Sequence, residues 1–438
     1  MRGWIEDDKP RNSKKNLMTA LGLIEGVCRA LYRDDAFNES VYPLDEKINL
    51  LKINENRSRY TQMFAYNAAK LYAELTEADA VSTIEAMLGI KIDEKQLAKV
   101  GQAVAENYIR PLDANAPKDQ ADAEETIKDI ERQPLTNTAE KGFLAEKLRE
   151  LEARADKDTI IQAAVNGNLD GAEGIEPTLF VLYLSADGTG VPGLRRELSN
   201  NGKNGGKAGT FEAKIGCAFR QGFTASGEPI LDSDNIVRIP STTKYTGTTD
   251  KIGGFCPQFA EFASQNGISS ADQVVFISDG ASWLRNMQLS LCPTAISVVD
   301  FFHAAEHLDD VIGVLRFHST EKREAFYKQC RSLLEYGDIE QLIIQICNKT
   351  NPSNKEKVNK MLAYFERNAS RMRYGLFKAA GLFIGSGVIE AACKTIVAKR
   401  LKNAGSHWSK KNANDVIALR CAIRSNEYVI PRTEPLSA

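Results

Sequence analysis

Residues 178–187, TLFVLYLSAD, form an apolar run of strand length that stops on an acid, and residues 273–279, QVVFISD, repeat the pattern. Short apolar runs rich in β-branched and aromatic residues and bounded by turn signals read as strands buried on both faces. In both, glycine follows the acid at once: Asp187 with Gly188, Asp279 with Gly280. Between them lie two further strand-like stretches, TFEAKIGCAF (210–219) and IVRIP (236–240), and a helix-like one, CPQFAEFASQNG (256–267). A third short strand, AISVVDFF (295–302), ends near Asp300. Strands alternating with helices predict an α/β domain, first seen at residues 177–310.

Working outward, the chain after His303 turns helical through residues 311–380, as in EKREAFYKQCRSLLEYG (321–337). Residues 381–425 close the domain. Within them GSGVIEAACKTIVAKRLKNAG (385–405) predicts a helix that carries Glu390, starts at Ser386 or Gly387 and stops at Gly405. Residues 426–438 are a tail. Upstream, residues 14–110 read as helical, because apolar positions recur every three or four residues in LMTALGLIEGVCRALY (17–32) and SRYTQMFAYNAAKLYAEL (58–75). Around the Gly89-Ile90 break, with Asp93 as N-cap, the region 1–110 has the spacing of a helix-turn-helix DNA reader, and equally that of any helical hairpin. Residues 111–176 are a charged linker followed by a short packing or dimerising helix with Phe143, Leu144, Leu148 and Leu151 on one face.

Composition narrows the class. The 438 residues are 43% hydrophobic and 26% charged, the balance of a soluble globular protein, and the length suggests more than one domain. No apolar run approaches membrane-spanning length, and MRGWIEDDKPRNSKKN (1–16) has no apolar core behind its basic residues. A cytoplasmic protein is expected. The eight cysteines are scattered singly, which argues against a zinc ribbon and for reduced thiols. The net charge of −2 hides an asymmetry: residues 391–424 hold eight Lys or Arg side chains against one acid, Asp415. Such a segment suits phosphate contact, or is simply a solvated basic face.

The two strand-end acids stand where open α/β sheets leave a crevice for ligands. An Asp-Gly pair is also a plain turn. Two of them with a helix-borne glutamate make a carboxylate set suited to Mg²⁺, which takes oxygen ligands and keeps several waters. Paired ions of this kind activate an attacking oxygen and stabilise a leaving one. The match of residues 188–193 to G-x-G-x-x-G does not yield a dinucleotide site, since a Gly- and Asn-rich loop (200–209) follows where a helix is required.

The string FIGSGVIEAACKTIVAKRLKNAGSHWS (383–409), with ISDGASWL (277–284) and VVDFFHAAEHL (298–308), resembles DDE transposases of bacterial insertion sequences, the ISKra-type family above all, with looser similarity to Mutator-like elements. The resemblance spans about residues 42–424 and is weak before 110. It implies an RNase H-like catalytic domain with an all-helical insertion before the last catalytic helix, plus the helical N-terminal region. It implies Asp187, Asp279 and Glu390 as catalytic residues and ligands to two Mg²⁺ ions, for which Mn²⁺ could substitute. Asp187 would bridge both ions. It also implies hydrolytic cleavage at transposon ends, then 3′-hydroxyl strand transfer, with no covalent enzyme intermediate. Some relatives carry paired N-terminal cysteines that this chain lacks.

Asp300 and His303 match an Asp-x-x-His element similar to that of the same group, either supporting the ligands or serving as N-cap and helix residue. Trp283 could stack on an extruded base or fill the core. Arg195, Arg196, Lys394, Arg400, Lys402, His407 and Trp408 are the expected contacts to double-stranded DNA. A homodimer or higher oligomer on DNA, associated with the nucleoid, is expected in consequence. A silent relative that only binds DNA, or a nuclease without joining activity, fits the same acids.

Overall fold

The computed structural model describes residues 56–109, 143–154, 179–195, 209–232 and 238–429 continuously, with shorter pieces within 5–53 and at 172–173, 198 and 235–236. Arg196 and most of the 111–176 linker therefore lie outside the described residues.

The N-terminal expectation fails over its first half. Strands β1 (Ser13–Thr19) and β2 (Gly22–Arg29) pair as an antiparallel hairpin, and β3 (Leu50–Ile53) and β4 (Asn56–Thr61) extend that sheet in the order β2-β1-β4-β3. The run at 17–32 mimics a helix because its apolar residues cluster, but Gly22 has φ +126°, which closes the two-residue turn and rules a helix out. Helices begin at α1 (Gln62–Glu74), followed by α2 (Glu77–Leu88) and α3 (Glu94–Val104). The predicted break is there: Gly89 adopts φ 64° and the Asp93 carboxylate accepts from the Gln96 N–H at 2.8 Å. A short helix, α4 (Phe143–Arg154), docks rather than stands free, since Leu148 is buried in the main core and Glu152 pairs with Arg373 at 2.7 Å.

The central sheet has five strands, β5 (Leu179–Pro192), β6 (Thr210–Phe223), β7 (Arg238–Thr248), β8 (Gln273–Ser278) and β9 (Ile296–Val299), in spatial order β7-β6-β5-β8-β9. The first three run antiparallel; β8 and β9 join parallel to β5. Val181 and Tyr183 face one hydrophobic cluster, and Leu182, Leu184 and Ala186 face another, so β5 is covered on both sides as its unbroken apolar run requires. The second cluster is roofed by α5 (Ile252–Gln265) and α6 (Ser282–Leu291).

Helix α7 (Phe301–Val314) leaves β9 directly, and α8 (Thr320–Tyr336), α9 (Ile339–Lys349), α10 (Lys355–Asn368) and α11 (Tyr374–Ala379) follow before the chain returns. The return is α12 (Gly387–Ala392), which continues through a π-helical turn, Cys393–Ala398, to Leu401; α13 (Lys410–Arg424) closes the fold against β7 and α1. The described chain is thus mixed α/β, and among the described residues no helix is long and apolar enough to cross a membrane.

Candidate active site

Asp187 is not the end of its strand. β5 runs on to Pro192, because β6 pairs with it as far as Thr210. The parallel neighbour β8 stops sooner, its last pair being Ile277 with Ser185. Asp187 therefore projects where the sheet opens beside it, and Asp279 begins the loop just past β8. Glu390 approaches from α12, in the first turn of that helix. The three acids, far apart in sequence, line one cavity of about 230 Å³ together with Ala186, Ser278, His303, Glu306, Ser386 and Ile389.

Each acid is held by its own loop chemistry. The Asp187 carboxylate accepts from the Gly188 N–H at 2.6 Å and from the Cys393 thiol at 3.6 Å. Asp279 accepts from the Ala281 N–H at 2.8 Å, and its backbone carbonyl accepts from the Tyr364 hydroxyl at 3.0 Å. Gly280 must be glycine: its φ is +92°, and a Cβ there would sit 2.9 Å from the Tyr364 ring. Glu390 is half exposed, with the Ser386 hydroxyl 3.4 Å and the Lys394 ammonium 4.0 Å from its carboxylate.

Asp300 ties these parts together. It is 1% exposed and caps α7 by accepting from the His303 N–H at 2.6 Å. Its other oxygen accepts from the Ser386 N–H, and its own N–H donates to the Ser278 carbonyl at 2.7 Å. The side chain thus fixes the start of α7 and the approach to Glu390, and the backbone of the same residue fixes the end of β8. Asp300→Asn leaves one oxygen to serve two N–H donors and turns an amide donor on the other. The expected result is a 10- to 100-fold loss of activity, on the order of other supporting-shell losses, with a fall in stability of about 1–3 kcal/mol. Kinetics and thermal melts on the same preparation check this; wild-type values in both would show that the bridge is idle.

The electrostatics of the cavity are acidic. The lining carries the carboxylates of Asp187, Asp279, Glu306 and Glu390, and neither lysine nor arginine. Burial raises the Asp187 carboxyl above its ordinary value; the Gly188 N–H opposes this, and the charge of Asp279 adds to it. The buried Ser278 hydroxyl on the same wall has no hydrogen-bond partner. Oxygen donors of this kind suit hard divalent cations. The acids are spread around the wall, and among the described residues no three His, Cys, Asp or Glu side chains are grouped closely enough to hold a metal as they stand.

His303 lines the cavity, whereas His307 stacks on Tyr364 with ring centroids 4.0 Å apart, and burial lowers its basicity. Of the expected DNA contacts, Lys394 and His407 are exposed, and so is Arg195. Lys402 donates to the Thr189 hydroxyl at 2.7 Å, on the same face of β5 as Asp187. Arg400 and Trp408 are interior and do not serve: Arg400 is 2% exposed, bonded to the Tyr72 carbonyl and Glu77, with its guanidinium 4.8 Å from the Trp408 ring centroid. Trp408 instead strings its loop to the end of β5, by donating to the Pro192 carbonyl and accepting from the Leu194 N–H, both at 2.9 Å. Trp283 meets Phe255 edge-on at the fringe of the second cluster.

Sequence reasoning missed Cys393, Tyr364 and Ser386. Cys393 lies three residues after Glu390, on the same helical face, and could have been inferred. Tyr364 is 85 residues from Asp279 and left no local signal. No family model and no curated protein matches the chain.

Proposed function

We propose that this chain is a metal-dependent DNA transposase that nicks transposon ends and then joins the freed 3′-hydroxyl to target DNA. The observation that carries the reading is the meeting of Asp187, Asp279 and Glu390 around one acidic cavity whose lining has neither lysine nor arginine. Support comes also from the sheet order, with three antiparallel strands followed by two parallel ones, which suits an RNase H-like core, and from helices α8–α11 standing where an all-helical insertion is expected. Asp187, Asp279 and Glu390 would hold two Mg²⁺ ions. Bound ions supply activation of the attacking oxygen and stabilisation of the leaving one.

The chain's own residues do the rest. Tyr364 and the Ala281 N–H keep Asp279 aimed inward. Ser386 and Lys394 restrain Glu390. Lys394, Lys402, His407 and Arg195 offer sequence-blind contacts to phosphates, which position DNA without reading it. The backbone next to Arg195 and His407 is tied to the end of β5, and Lys402 reaches Thr189, two residues past Asp187.

The test is nicking of supercoiled plasmid by purified protein in Mg²⁺ or Mn²⁺, followed by joining of 3′-hydroxyl oligonucleotides to a target plasmid. Nicks and joints that vanish with EDTA are expected. Nicking without joining would reduce the reading to a nuclease, and neither activity would overturn it.

A further inference from the structure

Ten large apolar side chains are exposed among the described residues, and Phe302 is the only aromatic one, at 59%. It sits between Asp300, which joins the site's loops, and His303, which lines the cavity. Its ring is fixed on two sides: edge-on to buried Phe301 with centroids 5.6 Å apart, and against Gly385, where an added Cβ would stand 3.0 Å from a ring carbon. The absence of a side chain at Gly385 lets the ring settle on backbone next to Ser386, which lines the cavity. One exposed ring bounded by Phe301 and Gly385 is too small an apolar area for a protein partner. A flat ring with two torsions, held firmly and open on one face, suits a flat ligand.

We propose that Phe302 is a base-stacking residue that receives an unpaired nucleobase of the strand whose backbone enters the Asp187–Asp279–Glu390 cavity. This rests on the DNA-cutting reading above and specifies which part of the DNA is gripped. Acidic walls repel phosphates until cations bind, so an uncharged handle beside them gives the strand a foothold that electrostatics do not. A base can reach it only when unstacked from its neighbours, which is easiest in single strands, mismatches and frayed ends. Stacking of this kind is indifferent to base identity.

The experiment compares wild type, Phe302→Ala and Phe302→Trp in Ca²⁺. The probes are a thymidine 20-mer with one central 2-aminopurine, a duplex carrying the same base in a mismatch, and a fully paired duplex. Wild type should quench the probe in the first two. Phe302→Ala should lose the quench and bind them about 5- to 100-fold more weakly, while Phe302→Trp keeps both. Affinity for the paired duplex should stay level across the three, and all should melt alike, as befits an exposed position. Equal quenching by wild type and Phe302→Ala, or none by wild type, overturns the proposal. Plasmid nicking by wild type is read separately. Phe302-dependent quenching without nicking keeps the stacking role and removes the cutting one; nicking with no role for Phe302 does the reverse.

Discussion

Replacing Asp279 by Asn, or Glu390 by Gln, is expected to abolish nicking and strand transfer, by on the order of 10⁴-fold or more, the scale seen when one member of a catalytic set is removed. DNA affinity should stay within a few-fold. The reasoning is local. Asp279 is aimed by the Ala281 N–H and the Tyr364 hydroxyl, contacts that an Asn side chain of equal shape preserves, so only the charge is lost. Asp187→Asn should be as inactive and should also separate function from folding. In the metal-free protein the Asp187 carboxyl is raised, by burial first and by Asp279 among the smaller causes. A carboxyl raised in the folded state favours folding below its unfolded value of about 3.9, and that contribution is lost as pH rises through the folded value. At neutral pH the ionised group is therefore a burden. Asp187→Asn should melt higher than wild type in EDTA at pH 7 and lose that advantage below about pH 4. Mn²⁺ should raise the wild-type melt more than the variant's. Substantial cleavage by any of the three variants would remove the assigned acid from the site.

How far this was legible in the sequence depends on how local each cause is. The buried strands at 179–186 and 273–278 and the helix start at Ser386 announce themselves, since each is set by apolar runs and turn residues within a few positions. Asp279, Asp300 and Glu390 follow from those boundaries. The hairpin at 13–29 did not, because a clustered apolar run satisfies both periods until Gly22 and the pairing strand β4 decide between them. The continuation of β5 past Asp187 was hidden for a related reason: what keeps Gly188 and Gly190 extended is β6, across a loop of uninformative glycines. Arg400 and Trp408 looked like surface groups because charge pattern is one-dimensional. Arg400 is held by Tyr72 and Glu77, more than 300 residues upstream, and Trp408 by Arg400 and the end of β5.

The second large effect is expected at Arg420, and it bears on how that N-terminal segment belongs to the site. Arg420 is 1% exposed, and its guanidinium donates to the carbonyls of Ile396 at 2.8 Å, Ala73 at 2.6 Å and Thr395, with Glu74 at 3.4 Å. Thr395 and Ile396 belong to the π-helical turn that follows Glu390, and Ala73 to the last turn of α1. A π turn shifts its hydrogen-bond register, and helix ends leave carbonyls without partners; one planar fork satisfies both at once. Burial pulls the guanidinium down and Glu74 holds it up, as a paired internal charge requires. Arg420→Met should therefore strand three carbonyls, while Glu74 keeps Arg424 at 2.7 Å. The expected loss is about 3–5 kcal/mol, at about 1–3 kcal/mol for each stranded buried acceptor, or a melting temperature lower by roughly 3–5 °C for a single transition of a chain this long. Arg420→Lys keeps the charge without the fork and should recover less than half. Glu74→Gln should cost less than Arg420→Met, because the carbonyl bonds survive. If α1 is a separable reader, the Arg420→Met melt should split into two transitions, with the catalytic part unmoved. A single lowered transition is expected instead, with nicking lost in step, because the arginine that anchors α1 also holds the helix that carries Glu390.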